Sequence, residues 1–285
     1  RFVQVFSGVA GQLSPRSPPF GGLCFCYCNI AVLIHRYSGA NLCLHRETTM
    51  LSVEKLIHER FPAFARKHVL IRKPVIKLLQ LILRENQVND FVRFCEGHRG
   101  LGFNDCIVEY FQLHYHSHGC EQIPLSGALV IIANHPLGAL DGAALIQTVS
   151  RIRSDVRMVV SDILLQFSPA REILLPVDNL SGRCNRSNVS EIDLALQRGE
   201  VVIIFPAGEV SRLSPAGLRD SEWRKGFLRA ASKAQAPILP AHIGGRNSLL
   251  FYGLSALYKP LAMLLLVREI FANHALQFDI HIGRL

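Results

Sequence analysis

The chain has 285 residues, 49% apolar and 19% charged, and lysine plus arginine exceed aspartate plus glutamate by 31 − 22 = 9. That length and apolar share supply a full hydrophobic core in one large domain or two small ones. The cationic excess favours an anionic partner such as a phospholipid surface or a phosphorylated substrate. No basic block interleaved with aromatics and no zinc-finger or RNA-binding signature occurs, which argues against nucleic acid.

Residues 1–49 carry Ser14-Pro15-Arg16-Ser17-Pro18-Pro19, a Gly21-Gly22 pair and a Cys-rich patch without clear periodicity. They read as disordered, or as lying upstream of the true start at Met50. A signal peptide fits poorly, because the apolar stretch lies late and no small-residue cleavage site follows it. The eight cysteines (Cys24, Cys26, Cys28, Cys43, Cys95, Cys106, Cys120 and Cys184) match no disulfide framework or zinc spacing. Reduced cytosolic thiols are the simpler reading. No run of 18 apolar residues exists, so no membrane-spanning helix is predicted.

Residues 50–100 read as a helical segment. Within it Pro74 to Arg84 has apolar residues at helical spacing, flanked and interrupted by Arg66, Lys67, His68, Arg72, Lys73, Lys77 and Arg84. Two readings stand: a helix lying in a membrane interface, and a helix packing on the main domain with solvated basic ends. At His114-Tyr115-His116-Ser117-His118-Gly119-Cys120 a strand would set three histidines and Cys120 on one face. A polar strand face is the reading adopted there, and metal binding the competing one.

Residues 101–285 alternate between short apolar strands and helices. Strands are predicted at 128–133, 156–160, 201–205, 238–243 and 276–282. Helices are predicted at 142–152, from the Asn188/Glu191 capping box to Arg198-Gly199, and at 221–234. The pattern predicts an α/β fold, with a central, mostly parallel sheet flanked by helices.

Three strand ends carry the chemistry. The first run ends at Asn134-His135-Pro136, and Asp141 follows at the start of a helix. Such an end holds an imidazole at a sheet rim, and a nearby carboxylate can orient it as a general base. A structural histidine beside a helix-capping aspartate is the plainer alternative. The second run ends at Phe205-Pro206-Ala207-Gly208, which presents Glu209, Ser211 and Arg212. An arginine fork matches the oxygens of an anionic group. The third spans Pro237 to Ser248. No Gly-x-Ser-x-Gly elbow, P-loop or Gly-x-Gly-x-x-Gly occurs, so serine-hydrolase and nucleotide chemistry lack support.

Together Asn134 to Gly142, Phe205 to Arg212, and Ala236 to Pro240 resemble the glycerolipid (lysophosphatidic-acid type) acyltransferase superfamily. Leu175 to Asn179 and Trp223 to Phe227 match its bacterial branch labelled hemolysin or lyso-ornithine-lipid-type acyltransferase. Five residues separate His135 from Asp141, one more than in the common superfamily pattern, and Ala207 stands where that pattern has Glu. Both departures are typical of that branch and point away from phosphatidic-acid synthesis.

The resemblance implies acyl transfer from a thioester, acyl-CoA or acyl carrier protein, to a lysolipid hydroxyl, with His135 as base and Asp141 orienting it. Asn134, Phe205, Pro206, Gly208, Glu209, Ser211 and Arg212 are the implied acceptor-binding residues. It implies no metal and no cofactor beyond the thioester, and a peripheral protein on the cytoplasmic face of an anionic membrane. A related hydrolase and a non-catalytic membrane-binding protein are the alternatives.

Overall fold

The computed structural model describes residues 50–60, 62–65, 69–161, 168–177, 186–214, 217–257 and 259–285. The expectations for residues 1–49, with their four cysteines, and for Cys184 lie outside that range.

Seven strands form one sheet: β1 (His114–His118), β2 (Leu129–Ala133), β3 (Val156–Ser161), β4 (Leu174–Val177), β5 (Val201–Ile204), β8 (Ile238–Ile243) and β9 (Gln277–Ile282). Their order is β1-β9-β8-β2-β5-β3-β4. Every pairing is parallel except β8 with β9. The expected α/β architecture is therefore present, with β1 and β9 running against the other five strands. A separate antiparallel hairpin joins β6 (Arg212–Ser214) and β7 (Gly217–Arg219), whose short, polar strands gave no periodic signal.

The continuous apolar runs follow from burial on both faces. On one face Leu129, Ile131 and Ala133 pack with residues of α5 (Gly100–Tyr110), α6 (Ala139–Ser150) and α10 (Lys259–Ala272). On the other, Val130 and Ile132 meet Ile192 and Leu196 of α7 (Arg186–Gln197) and Ala231 of α8 (Gly226–Ala234). Each such fully buried aliphatic side chain contributes about 1.5–3 kcal/mol. The strand between these layers is thus a rigid platform for whatever follows Ala133.

The five strands expected from the alternation match to within a residue, whereas β4 was not expected, and helix starts differ. α6 begins at Ala139 rather than Gly142, because the Asp141 carboxylate accepts the Leu137 and Gly138 amides and so caps the first turn. α7 begins at Arg186, ahead of the Asn188/Glu191 box. α8 begins at Gly226 rather than Ser221, since the segment before it is strapped elsewhere. The Trp223 indole N–H donates to Asp220 Oδ2 at 3.0 Å, and the Arg224 amide donates to the Pro206 carbonyl at 3.1 Å.

Ahead of the sheet lie α1 (Val53–Arg60), α2 (Pro62–Ala65), α3 (Val69–Ile82) and α4 (Glu85–Phe94). Val53, Ile57, Ile76 and Leu83 form a small core among them. Phe91 of α4 packs against Phe103, Phe111 and Phe271, fastening this segment to the sheet's helical layer. α3 packs through Ile76 while Leu70, Lys73, Lys77 and Leu81 are exposed. Among the described residues no helix is long and apolar enough to cross a membrane. His114, His116 and His118 share the exposed face of β1, but Cys120 sits in a 3-10 turn after Gly119 (φ 76°), so that face stops at His118.

Candidate active site at the end of strand β2

Asn134 extends the β2–β8 pairing one residue beyond β2. Its Nδ2 donates to the Ile243 carbonyl at 2.8 Å, and its Oδ1 accepts the Ile243 amide at 2.7 Å. The side chain imitates a strand peptide group, so the next residue leaves the sheet at a fixed angle. Three further contacts hold the turn. The Ser211 amide donates to the His135 carbonyl at 2.9 Å, and the Asn247 side chain donates to the Pro136 carbonyl at 2.9 Å. The His135 amide faces Asp220 Oδ1 at 3.4 Å.

The His135 side chain is 4% exposed and its Nδ1 lies 2.8 Å from Asp141 Oδ1, whose side chain is 0% exposed. The other Asp141 oxygen accepts the amides of Leu137 at 2.7 Å and Gly138 at 3.1 Å. Gly138 has φ 80°, which suits a residue without Cβ and turns the chain sharply from strand to helix. The carboxylate thus sits in the first turn of α6, where the helix N-terminus favours negative charge. Phe205, from the end of β5, stacks on the imidazole with centroids 4.2 Å apart and planes at 28°. Gly142 leaves room for Met158 beside Phe205: a Cβ there would stand 3.2 Å from Met158 Sδ, and at an ordinary 3.8 Å from Phe205 Cε2.

The β5–β6 turn supplies the remaining predicted residues. Pro206 is buried and its carbonyl takes the Arg224 amide. Gly208 (φ 68°) closes the turn, its amide donating to the Phe205 carbonyl at 3.0 Å. Glu209 Oε2 lies 3.4 Å from Arg212 Nη2, and Arg212 Nη1 donates to the hydroxyl of Ser255 of α9 (Leu249–Leu257). The Ser211 hydroxyl donates to Asp220 Oδ1.

His135, Asp141, Phe205 and Ser211 therefore converge directly. Pro206 and Gly208 shape the turn, Glu209 and Arg212 form an ion pair beside it, and the Asn134 amide faces Ile243. Sequence reasoning missed Asp220, Asn247 and Ser255 as partners. Asp220 lies 85 residues from His135, and no local pattern announces that contact. Glu269, also missed, is buried and accepts both the amide and the hydroxyl of Ser248, at 2.9 and 2.8 Å, fixing the β8–α9 loop. A hollow of about 590 Å³ lies elsewhere, beside β1 and the C-terminal end of α6. Its Gln147 donates to Asp105 and accepts from Arg151, and it does not include His135.

A buried histidine with one nitrogen held by a carboxylate can take a proton from a hydroxyl through the other nitrogen. An arginine-bearing turn on the same sheet edge adds a means of holding an anionic group. The chain belongs to the acyltransferase family, whose model matches residues 55–285. It is an acyltransferase of the glycerolipid acyltransferase superfamily.

Two lyso-glycine lipid O-acyltransferases are similar to it. That of Bacteroides thetaiotaomicron is 29% identical over 242 residues, covering 82% of this chain and 88% of the relative. That of Phocaeicola vulgatus is 27% identical over 242 residues, covering 82% and 85%. Among solved structures, the 1-acyl-sn-glycerophosphate (LPA) acyltransferase PlsC from Thermotoga maritima aligns over 81% of either chain, at 15% identity and a TM-score of 0.42.

Proposed function

We propose that this acyltransferase moves a fatty acyl group from a thioester, acyl-CoA or acyl carrier protein, to the hydroxyl of a lysolipid of the lyso-glycine lipid type. The observation that carries the reading is the buried His135–Asp141 pair, with 2.8 Å between Nδ1 and Oδ1 at a strand end clamped on several sides. The acceptor class is supported by both lyso-glycine lipid relatives.

Asp141 keeps the proton on Nδ1, so Nε2 is the basic nitrogen. Nε2 takes the acceptor's hydroxyl proton as that oxygen bonds to the thioester carbonyl carbon. The carbonyl electrons move onto oxygen, giving a tetrahedral oxyanion that needs donors. The Leu137 and Gly138 amides face Asp141, Pro206 has no N–H and the Gly208 amide donates to the Phe205 carbonyl, so the donors are assigned to the Ala207 and Glu209 amides of the same turn. When the oxyanion collapses the C–S bond breaks, and the thiolate leaves with the proton from Nε2. The thioester already supplies an activated acyl group, so the step asks for no metal or further cofactor.

Arg212, set by Glu209 and Ser255, holds the acceptor's anionic head group. The net charge of +9 favours an anionic membrane, where the protein would act peripherally on the cytoplasmic face. The test supplies purified protein with lyso-glycine lipid and either acyl-CoA or acyl carrier protein thioester, and identifies the products by mass spectrometry. Diacylated lipid is expected with one donor or both. Free fatty acid alone would assign a hydrolase, and an intact thioester with both donors would leave a non-catalytic binder.

A further inference from the structure

Three chain segments are bonded to the backbone of the His135 turn, through Ser211, Asp220 and Asn247. Each carries large apolar side chains a few residues away that the fold leaves in water. Leu213 follows Ser211, Leu218 precedes and Trp223 follows Asp220, and Leu249 follows Asn247. Leu249 is 81% exposed and Leu213 58%.

The β6–β7 register pairs Leu213 with Leu218 across the hairpin. Arg212, beside Leu213, turns its side chain inward to Glu209 and Ser255, so alternation along β6 sends Leu213 the opposite way. The same segments expose Arg219, Arg224, Lys225 and Arg246. Their acidic residues are Glu222, which is exposed, and Asp220, whose oxygens accept from Ser211 and Trp223. Exposed leucines and a tryptophan ringed by cations are the composition of a surface that seats on anionic lipid.

We infer that this rim, formed by the β6–β7 hairpin, the Asp220–Lys225 strap and the start of α9, docks on the surface of an anionic bilayer. The docking sets the mouth of the His135 site against the layer that holds the lysolipid. The inference rests on the lysolipid reading of that site. It accounts for leucines on segments whose other side chains build the site, and it delivers an acceptor head group toward Arg212 while the acyl tail stays in lipid. An apolar side chain entering the interface and a cation beside it act together, because anionic lipid attracts the cation while the leucine leaves water.

The experiment compares wild type with a Leu213→Glu/Leu249→Glu variant, a Leu125→Glu control and a Leu70→Glu/Leu81→Glu variant of α3. Leu125 is 80% exposed and precedes β2, at the opposite end of that strand from His135. Each protein is sedimented with vesicles of phosphatidylcholine, with and without phosphatidylglycerol. Each is then assayed on lysolipid in those vesicles and on a short-chain lysolipid kept below its micellar concentration.

The rim variant should lose about tenfold or more of its binding to anionic vesicles, and a similar factor in rate on vesicle lysolipid, while its rate on the monomeric lysolipid stays at wild-type level. Leu125→Glu should match wild type in every arm. Unchanged vesicle binding by the rim variant, or loss confined to the α3 variant, would overturn the rim as the docking surface. If wild type acylates neither lysolipid, the lysolipid reading itself fails, whatever the vesicles show.

Discussion

The two oxygens of Asp141 do different jobs for His135. Oδ1 lies 2.8 Å from the imidazole Nδ1, while Oδ2 accepts the amides of Leu137 and Gly138. The carboxylate that orients the ring therefore also caps the helix and closes the turn carrying the ring. Catalytic geometry and local stability share one side chain.

That sharing separates two substitutions. Asp141→Asn keeps an oxygen for the two amides but can present an NH₂ to the imidazole, favouring the wrong tautomer. Its melting temperature should stay near wild type while kcat falls by about 10²–10⁴. Asp141→Ala should lose activity and also about 1–3 kcal/mol of stability, because the cap is gone and buried amides are left unmet. Thermal melts beside initial rates distinguish the two.

Asn134 makes a separable contribution. Asn134→Ala removes both bonds to Ile243 and leaves a buried backbone amide and carbonyl to find other partners. The expected cost is about 1–3 kcal/mol. A change in kcat should accompany it, since the β2–β8 clamp sets the angle at which His135 leaves the sheet. Chemical denaturation and steady-state kinetics on the same preparation measure both.

The ion pairs at the far end of the strands predict an acid limit. A hydrogen bond from Arg153, together with that guanidinium's charge, holds the Asp155 carboxyl below its ordinary range. Burial pushes Glu200 up, but hydrogen bonds and charge from Arg198 and Arg157 outweigh it, and its carboxyl also lies low. A depressed folded-state pKa stabilises the fold above the unfolded value, near 4, and that gain is lost as pH falls through the folded value. Melting temperature should therefore drop as pH is lowered below about 4. Glu200→Gln should melt lower than wild type at neutral pH and fall less steeply in acid.

The sheet was legible because β2 and β5 are buried on both faces, which leaves an unbroken apolar run ended by Asn or Pro, and because β8 alternates, burying Leu239, Ala241 and Ile243 while Pro240 and His242 are exposed. The His135–Asp141 pair was legible because both lie on one local turn. What the chain hides depends on contacts distant in sequence. The Asp220 strap reads as helix until its indole and amide contacts are seen, and the β6–β7 hairpin is too short for a periodic signal. Arg212 announces its charge, but the Glu209 and Ser255 contacts that orient it arise only when α9 packs beside β6.

The account rests on His135 acting as the base. The most direct test is the rate of acyl transfer by His135→Ala, measured with lysolipid and thioester at saturation beside the wild type, with circular dichroism confirming the fold. The expected result is a native spectrum and a rate lowered by about 10³-fold or more. A folded His135→Ala protein that transfers acyl groups at the wild-type rate would contradict the account.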